Sequence, residues 1–310
     1  MDVASPLLPA TPQAEEIARL FYVDLVIAGV IFVVVAGLVA TVIIRNRKRS
    51  PDDLPVQNFG SETLEWTWTI IPVMIVTGLF VYTMKVMHEV DPKPVGREAD
   101  VEIIAHQWWW EVHYHPSGAV TANEIHLPVG RDLLFQVRSA DVIHDFWVPA
   151  LGQKVDAIPN HPNYAWYDVD KPGTYLGTCA EFCGAEHAWM RIRVIAQPVP
   201  AFGFWVEEQL LDARPPTGSA AKAGAALFAK HTCMNCHSIR GTPANGDIGP
   251  DLTHLASRQT LAAGVFRNTP ENLMKWVSDP QKYKPGSHMP TMDLRRQSFE
   301  NIVAYLEELK

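Results

Sequence analysis

The sequence has little cysteine and, over two long stretches, no charge at all. Four cysteines in 310 residues are too few to staple a chain of this size with disulfides, and they fall as two close pairs, Cys179 with Cys183 and Cys233 with Cys236. Paired thiols at such short spacing point to metal or cofactor chemistry. Basic residues are outnumbered, leaving a formal net charge of -8, so the broad positive surface of a nucleic-acid binder is missing. Charge is absent from Leu25 to Ile44, twenty residues, and from Trp66 to Met84, nineteen. Each run approaches the roughly 20 apolar residues that cross a bilayer as a helix.

Two membrane spans are therefore expected, at about residues 22–44 and 65–86. The first is too long for a cleaved signal peptide and is preceded by a single basic residue, Arg19. Arg45, Arg47, Lys48 and Arg49 lie between the spans, which places that loop in the cytoplasm and both termini outside. Everything after about residue 90 then lies in an oxidising compartment, where thiols persist only when bound to something. Asp24 and Glu65 stand at opposite ends of the spans; ionisable groups at such depth are functional candidates, with simple solvation at the interface as the alternative.

Beyond the spans the periodicity changes twice. Residues 100–196 alternate apolar and polar in short runs, such as Leu133-Leu134-Phe135-Gln136-Val137 and Met190-Arg191-Ile192-Arg193-Val194, broken by turns at Pro116-Ser117-Gly118 and Lys171-Pro172-Gly173. That is the pattern of an antiparallel β-sandwich. A helical stretch from Phe202 to Asp212 leads to a linker, Arg214-Pro215-Pro216-Thr217-Gly218-Ser219. Helical periodicity then marks Ala223–Ala229, Pro270–Ser278 and Ser298–Leu309. The expected organisation is a membrane-anchored multidomain chain: a short outer tail (1–18), a two-helix transmembrane hairpin (19–90), a sandwich domain (91–212), a linker (213–219) and an all-helical domain (220–310). Residues 91–212 carry eight basic against seventeen acidic side chains, whereas residues 219–310 carry eleven against eight. Opposite signs of this kind favour encounter and orientation between domains, ordinary solvated surfaces being the alternative.

In the helical domain, Cys233-Met234-Asn235-Cys236-His237 is C-x-x-C-H. In this pattern two thiols attach covalently to haem c and the histidine ligates its iron. Met289, in Lys284-Pro285-Gly286-Ser287-His288-Met289-Pro290, is the best candidate for the second iron ligand, with Met292 and His288 as rivals. Met274 lies in an apolar helix where core packing explains it. The domain resembles the class I cytochromes c, and Gly249-Pro250-Asp251-Leu252 looks like that family's proline loop near the iron-binding histidine.

In the sandwich, the stretch from Cys179 to Met190 gathers two thiols, His187 and a thioether within twelve residues, with His144 upstream. Soft sulfur and imidazole ligands select copper or zinc, and a weak axial thioether favours copper. Two thiolates four residues apart can bridge two ions. On these residues, 15–212 resemble subunit II of the haem-copper cytochrome c oxidases, and the whole chain resembles the caa-type form with a fused cytochrome c.

The resemblance implies a cupredoxin-like fold for the sandwich. It implies a binuclear copper centre held by His144, Cys179, the Glu181 carbonyl, Cys183, His187 and Met190, and a magnesium ion near the Glu181 carboxylate at the interface with subunit I. It further implies that electrons enter at Trp108 in His106-Gln107-Trp108-Trp109-Trp110, where Trp109 replaces the usual tyrosine, and that protons enter one pathway at Glu65. Asn160-His161-Pro162-Asn163 departs from the family's glycine-arginine turn. The implied partners are oxidase subunits I and III and a donor such as a soluble cytochrome or a quinol-cytochrome c reductase, in a bacterial inner membrane with the metal domains outside. The implied activity is an electron-input role in reducing oxygen to water, coupled to proton translocation. The alternative is the corresponding subunit of a copper-containing nitric oxide reductase.

Overall fold

The computed structural model describes residues 2–47, 59–91 and 96–310. Lys48 and Arg49, two of the four basic residues that orient the anchor, lie outside these. The chain forms two compact units, Glu15–Asp91, and Met1–Ala14 with Pro92–Lys310.

The apolar runs form α1 (Pro12–Arg45) and α2 (Glu62–Val90), both long and apolar enough to cross a membrane. Glu62 and Glu65 fall in the first turn of α2, where carboxylates complement the helix dipole. Glu65 itself is exposed. Pro72, inside α2, removes one backbone donor, a loss that membrane helices commonly tolerate.

The second unit opens with β1 (Asp2–Val3), followed after the anchor by β2 (Val101–His106), β3 (Trp109–Tyr114), β4 (Val120–Ala122), β5 (Glu124–Pro128) and β6 (Asp132–Ser139). Then come β7 (His144–Trp147), β8 (Val155–Ala157), β9 (Asn163–Asp168), β10 (Gly173–Cys179) and β11 (Arg191–Gln197). One sheet runs β4-β3-β2-β6-β9, the other β5-β11-β10-β7-β8. Alternation is strict where one face is wet: β3 and β11 bury every second residue. Between the sheets pack Ile103, Trp110, Phe135, Phe146, Leu127 and Val194, all fully buried. Trp110 is thus a core residue, which accounts for one of the three consecutive tryptophans by packing.

The outer tail does more than lead into the anchor. β1 adds in parallel to β10 through Asp2↔Thr174 and Val3↔Tyr175. The Ala10 amide donates to Ala150 O at 2.8 Å and the Thr11 hydroxyl to Leu151 O at 2.7 Å.

α3 (Val199–Gln209) packs its aromatic face on the sandwich, His126 stacking on Trp205 at 4.2 Å. The helical lobe holds α4 (Ser219–Lys230), α5 (Cys233–Cys236), α6 (Pro270–Ser278), α7 (Pro280–Tyr283) and α8 (Arg296–Leu306). It also has a two-residue ladder, β12 (Thr260–Leu261) with β13 (Phe266–Arg267), that helical periodicity does not signal. Phe228, Ile302, Val303, Leu306 and Leu309 form its core, with Cys233, Met234 and Met274 packed against it.

Candidate metal centres

The sheet ladder brings the sulfur-rich loop to one point. β7 pairs with β10 so that Cys179 lies opposite Phe146, and His144, two residues earlier on the same face, sits diagonally beside Cys179. The Cys179 amide donates to Met190 O at 2.9 Å and closes the loop 180–189 at its base. Inside that loop Gly184 has φ +120°, and a Cβ there would meet the Trp108 ring at 2.9 Å. Only glycine lets the loop lie against the indole.

The six donors expected for copper converge. Cys179 Sγ lies 3.8 Å from Cys183 Sγ, 3.9 Å from His144 Nδ1 and 3.2 Å from Glu181 O. Cys183 Sγ lies 3.6 Å from His187 Nδ1 and 3.9 Å from Met190 Sδ. A disulfide needs about 2.05 Å between the sulfurs; at 3.8 Å both thiols are free to act as ligands. Each imidazole serves one sulfur, and the thioether and the carbonyl stand at opposite sulfurs. This donor set fits copper, because it is soft, holds two thiolates and includes a thioether that zinc does not need. His144, Cys179, Cys183 and Met190 are buried, whereas the Glu181 side chain is exposed.

Two neighbours of the cluster have no individual signature in the sequence. The Asp141 carboxylate accepts from His144 Nε2 at 2.8 Å and from the Gln107 amide at 2.7 Å. With Nε2 donating, Nδ1 keeps its lone pair toward the thiolates. Although burial lowers the His144 pKa, the bond to Asp141 raises it above the ordinary histidine value. The Cys183 carbonyl accepts from Gln107 Nε2 at 2.7 Å and from Trp108 Nε1 at 3.0 Å, joining the expected electron-accepting indole to a ligand residue. In sequence Asp141 reads only as a turn residue, and its spacing of three from His144 is the one available signal.

The hydrogen bond from Cys183 holds the Cys179 thiol down to about 3, while the same pairing pushes the Cys183 thiol up. Thiolate, not thiol, is the metal-ligating form, so binding at this pair releases protons.

In the helical lobe, α5 sets Cys233 and Cys236 one turn apart, both half-buried, and the His237 amide closes that turn on Cys233 O at 3.0 Å. His237 Nδ1 donates to Pro250 O at 2.8 Å, leaving Nε2 as the free ligand atom. Burial lowers the His237 pKa, which keeps the ring in its neutral, ligating form. A Cβ on Gly249 would meet His237 Cε1 at 2.6 Å, so the proline loop packs against the ring only as glycine. These residues fit covalent haem. Met289 is half-buried, its carbonyl accepting from Gln281 Nε2 at 2.8 Å. Met292 is also half-buried, whereas the His288 ring lies 5.3 Å from the Trp108 ring, in contact with the copper lobe.

Two membrane-length helices, a cupredoxin-like sandwich with a sulfur–imidazole cluster and a helical lobe with a C-x-x-C-H turn define a membrane-anchored electron-transfer subunit. Residues 8–86 match the transmembrane domain of cytochrome c oxidase subunit II, residues 117–197 its periplasmic domain, and residues 221–310 cytochrome c. The chain is 33% identical to cytochrome c oxidase subunit 2 of Alkalihalophilus pseudofirmus, over 97% of this chain and 90% of that protein. It is 32% identical to that of Bacillus sp. strain PS3, over 86% and 80% respectively, and 29% identical to that of Bacillus subtilis, over 92% and 86%. The chain belongs to the cytochrome c oxidase subunit 2 family, in the form that carries a cytochrome c domain. It is a subunit of an oxidoreductase complex, anchored in a membrane beside subunit I, with a periplasmic copper-site domain and a haem c domain.

Proposed function

We propose that this chain is the electron-input subunit of a caa-type oxidase. Electrons collected at haem c pass to a binuclear copper centre and on to the oxygen-reducing site of subunit I, with proton translocation a property of the whole complex. The observation that carries this reading is the convergence of six donors around two thiols 3.8 Å apart. When bound, the copper pair shares one electron hole and so reorganises little on transfer. Cys179, Cys183, His144, His187, Met190 and Glu181 O would hold it. Asp141 orients His144, and the sandwich keeps Met190 dry. In the other lobe Cys233 and Cys236 would attach the haem covalently, and His237 Nε2 and Met289 would ligate its iron.

Glu65, in the first turn of α2, is the proposed point of proton uptake, and the exposed Glu181 carboxylate is proposed to reach a magnesium ion at subunit I. Subunit III, an external cytochrome or quinol-cytochrome c reductase as donor, and a bacterial inner membrane complete the proposal. Elemental analysis of the purified full chain, supplied with copper and haem, tests it. Two copper ions and one haem iron per chain are expected, and one copper, or zinc in its place, would overturn the binuclear centre. Gas uptake by the assembled complex separates oxygen from nitric oxide as acceptor.

A further inference from the structure

Domains joined by a proline-rich linker move against one another by default unless their interface is extensive or specifically locked. Here the strap between the lobes is pinned. The Ala213 amide donates to Arg240 O, Leu211 O accepts from Arg240 and His254, and Glu308 takes the Thr217 and Gly218 amides.

The lobes meet at three further places. Glu124, on β5 of the copper lobe and 1% exposed, accepts from the Gln259 amide at 2.9 Å, the Thr260 amide at 2.7 Å and the Thr260 hydroxyl at 2.6 Å. Lys284, on the haem lobe and 3% exposed, extends to Trp108 O, with Nζ at 3.4 Å. Burial lowers its pKa to about 8, and the neighbouring Glu186, itself buried in the copper lobe, draws it back up. At the third place Arg191 donates its amide to Ala263 O at 3.2 Å. Ala263 and its neighbour Ala262 hold φ of +57° and +53°, a left-handed backbone that alanine adopts only when its surroundings impose it. Charged side chains are seldom buried without a partner, and two of them, one from each lobe, are spent on this interface.

We propose that Glu124 and Lys284 are positioning residues that hold the haem lobe on the copper lobe in one fixed arrangement, with His288 set against Trp108. This deepens the function proposed above and rests on it. The route is His288 beside Trp108, Trp108 Nε1 to Cys183 O, and Cys183 to the copper ligand cluster. It needs no swing of the strap. It also closes Trp108, 8% exposed, to an external protein, so an outside donor delivers to the haem lobe.

The test uses the full chain in detergent, as the parent and as Glu124→Ala, Lys284→Met and the milder Glu124→Gln. Amide exchange at Gln259 and Thr260, read in the haem-loaded chain, needs neither turnover nor copper. Protection in the parent, falling by about tenfold or more in Glu124→Ala, is expected. Flash reduction of haem in the loaded chain then reads the haem-to-copper rate. In the parent it is independent of solvent viscosity. In Lys284→Met it falls by roughly tenfold or more and becomes viscosity-dependent, with the haem and copper spectra unchanged. Unprotected amides in the parent, a viscosity-dependent parent rate, or variants that leave both readouts unchanged would overturn the proposal. Absence of a copper or haem signal in the parent would instead overturn the underlying reading of the metal centres, and with haem present and copper missing the exchange result would still decide the docking.

Discussion

The two lobes both use a close pair of cysteines, and they use them in opposite ways. Cys179 and Cys183 are buried, their sulfurs hydrogen-bonded at 3.8 Å, at the end of the β7–β10 ladder. Cys233 and Cys236 are half-buried on one turn of helix, with Cys233 packed against the lobe's core. In the sandwich the fold prepares the site, because cross-strand register decides which side chains share a face. In the helical lobe short elements are joined by long loops, so bound haem is expected to add to the core.

That contrast is broken most directly by withholding each cofactor. Without haem, the helical lobe is expected to lose most of its amide protection at α4 and α8, while the sandwich keeps its own; equal protection in both lobes would erase the distinction. Cys183→Ser is expected to abolish the copper signal and leave the haem band intact. Asp141→Asn, which removes the carboxylate that orients His144, should weaken copper binding by roughly 10–100-fold, measured by competition with a chelator. In the haem lobe, Gly249→Ala forces a Cβ into the His237 ring and should lower the lobe's unfolding free energy by about 1–3 kcal/mol.

The smallest effect concerns pH. Burial raises the Glu111 pKa, but hydrogen bonds from His106 and His113 outweigh it and bring it to about 2. A carboxylate depressed in the folded state stabilises above its unfolded pKa and loses that contribution as pH falls through the folded value. The copper lobe should therefore lose about 1–2 kcal/mol between pH 4.5 and 2, discounted for the partial exposure of Glu111, and Glu111→Gln should remove that part of the slope in acid unfolding.

Much of this architecture is legible in the residues. Uncharged runs became α1 and α2, Pro270–Ser278 is a helix over the expected range, and His144, Cys179 and Cys183 come together in the fold. What stayed hidden obeys no local period. β1 is two residues long and pairs with a strand some 170 positions away, a distance at which neither alternation nor turn chemistry signals partnership. Glu124 and Lys284 read as surface charges because their types usually are; only the apposition of the two lobes buries them. Asp141 looks like a turn residue until the fold places it on His144 Nε2. The His288 ring lies beside that of Trp108, a contact no local pattern signals.

The central claim, one chain carrying two distinct redox centres, is tested most directly by low-temperature electron paramagnetic resonance of the full chain loaded with copper and haem, beside its visible spectrum. Two copper nuclei sharing one electron hole predict a seven-line hyperfine pattern together with a reduced c-type band. A four-line pattern from a single copper, or a c-type band with no copper signal at all, would contradict it.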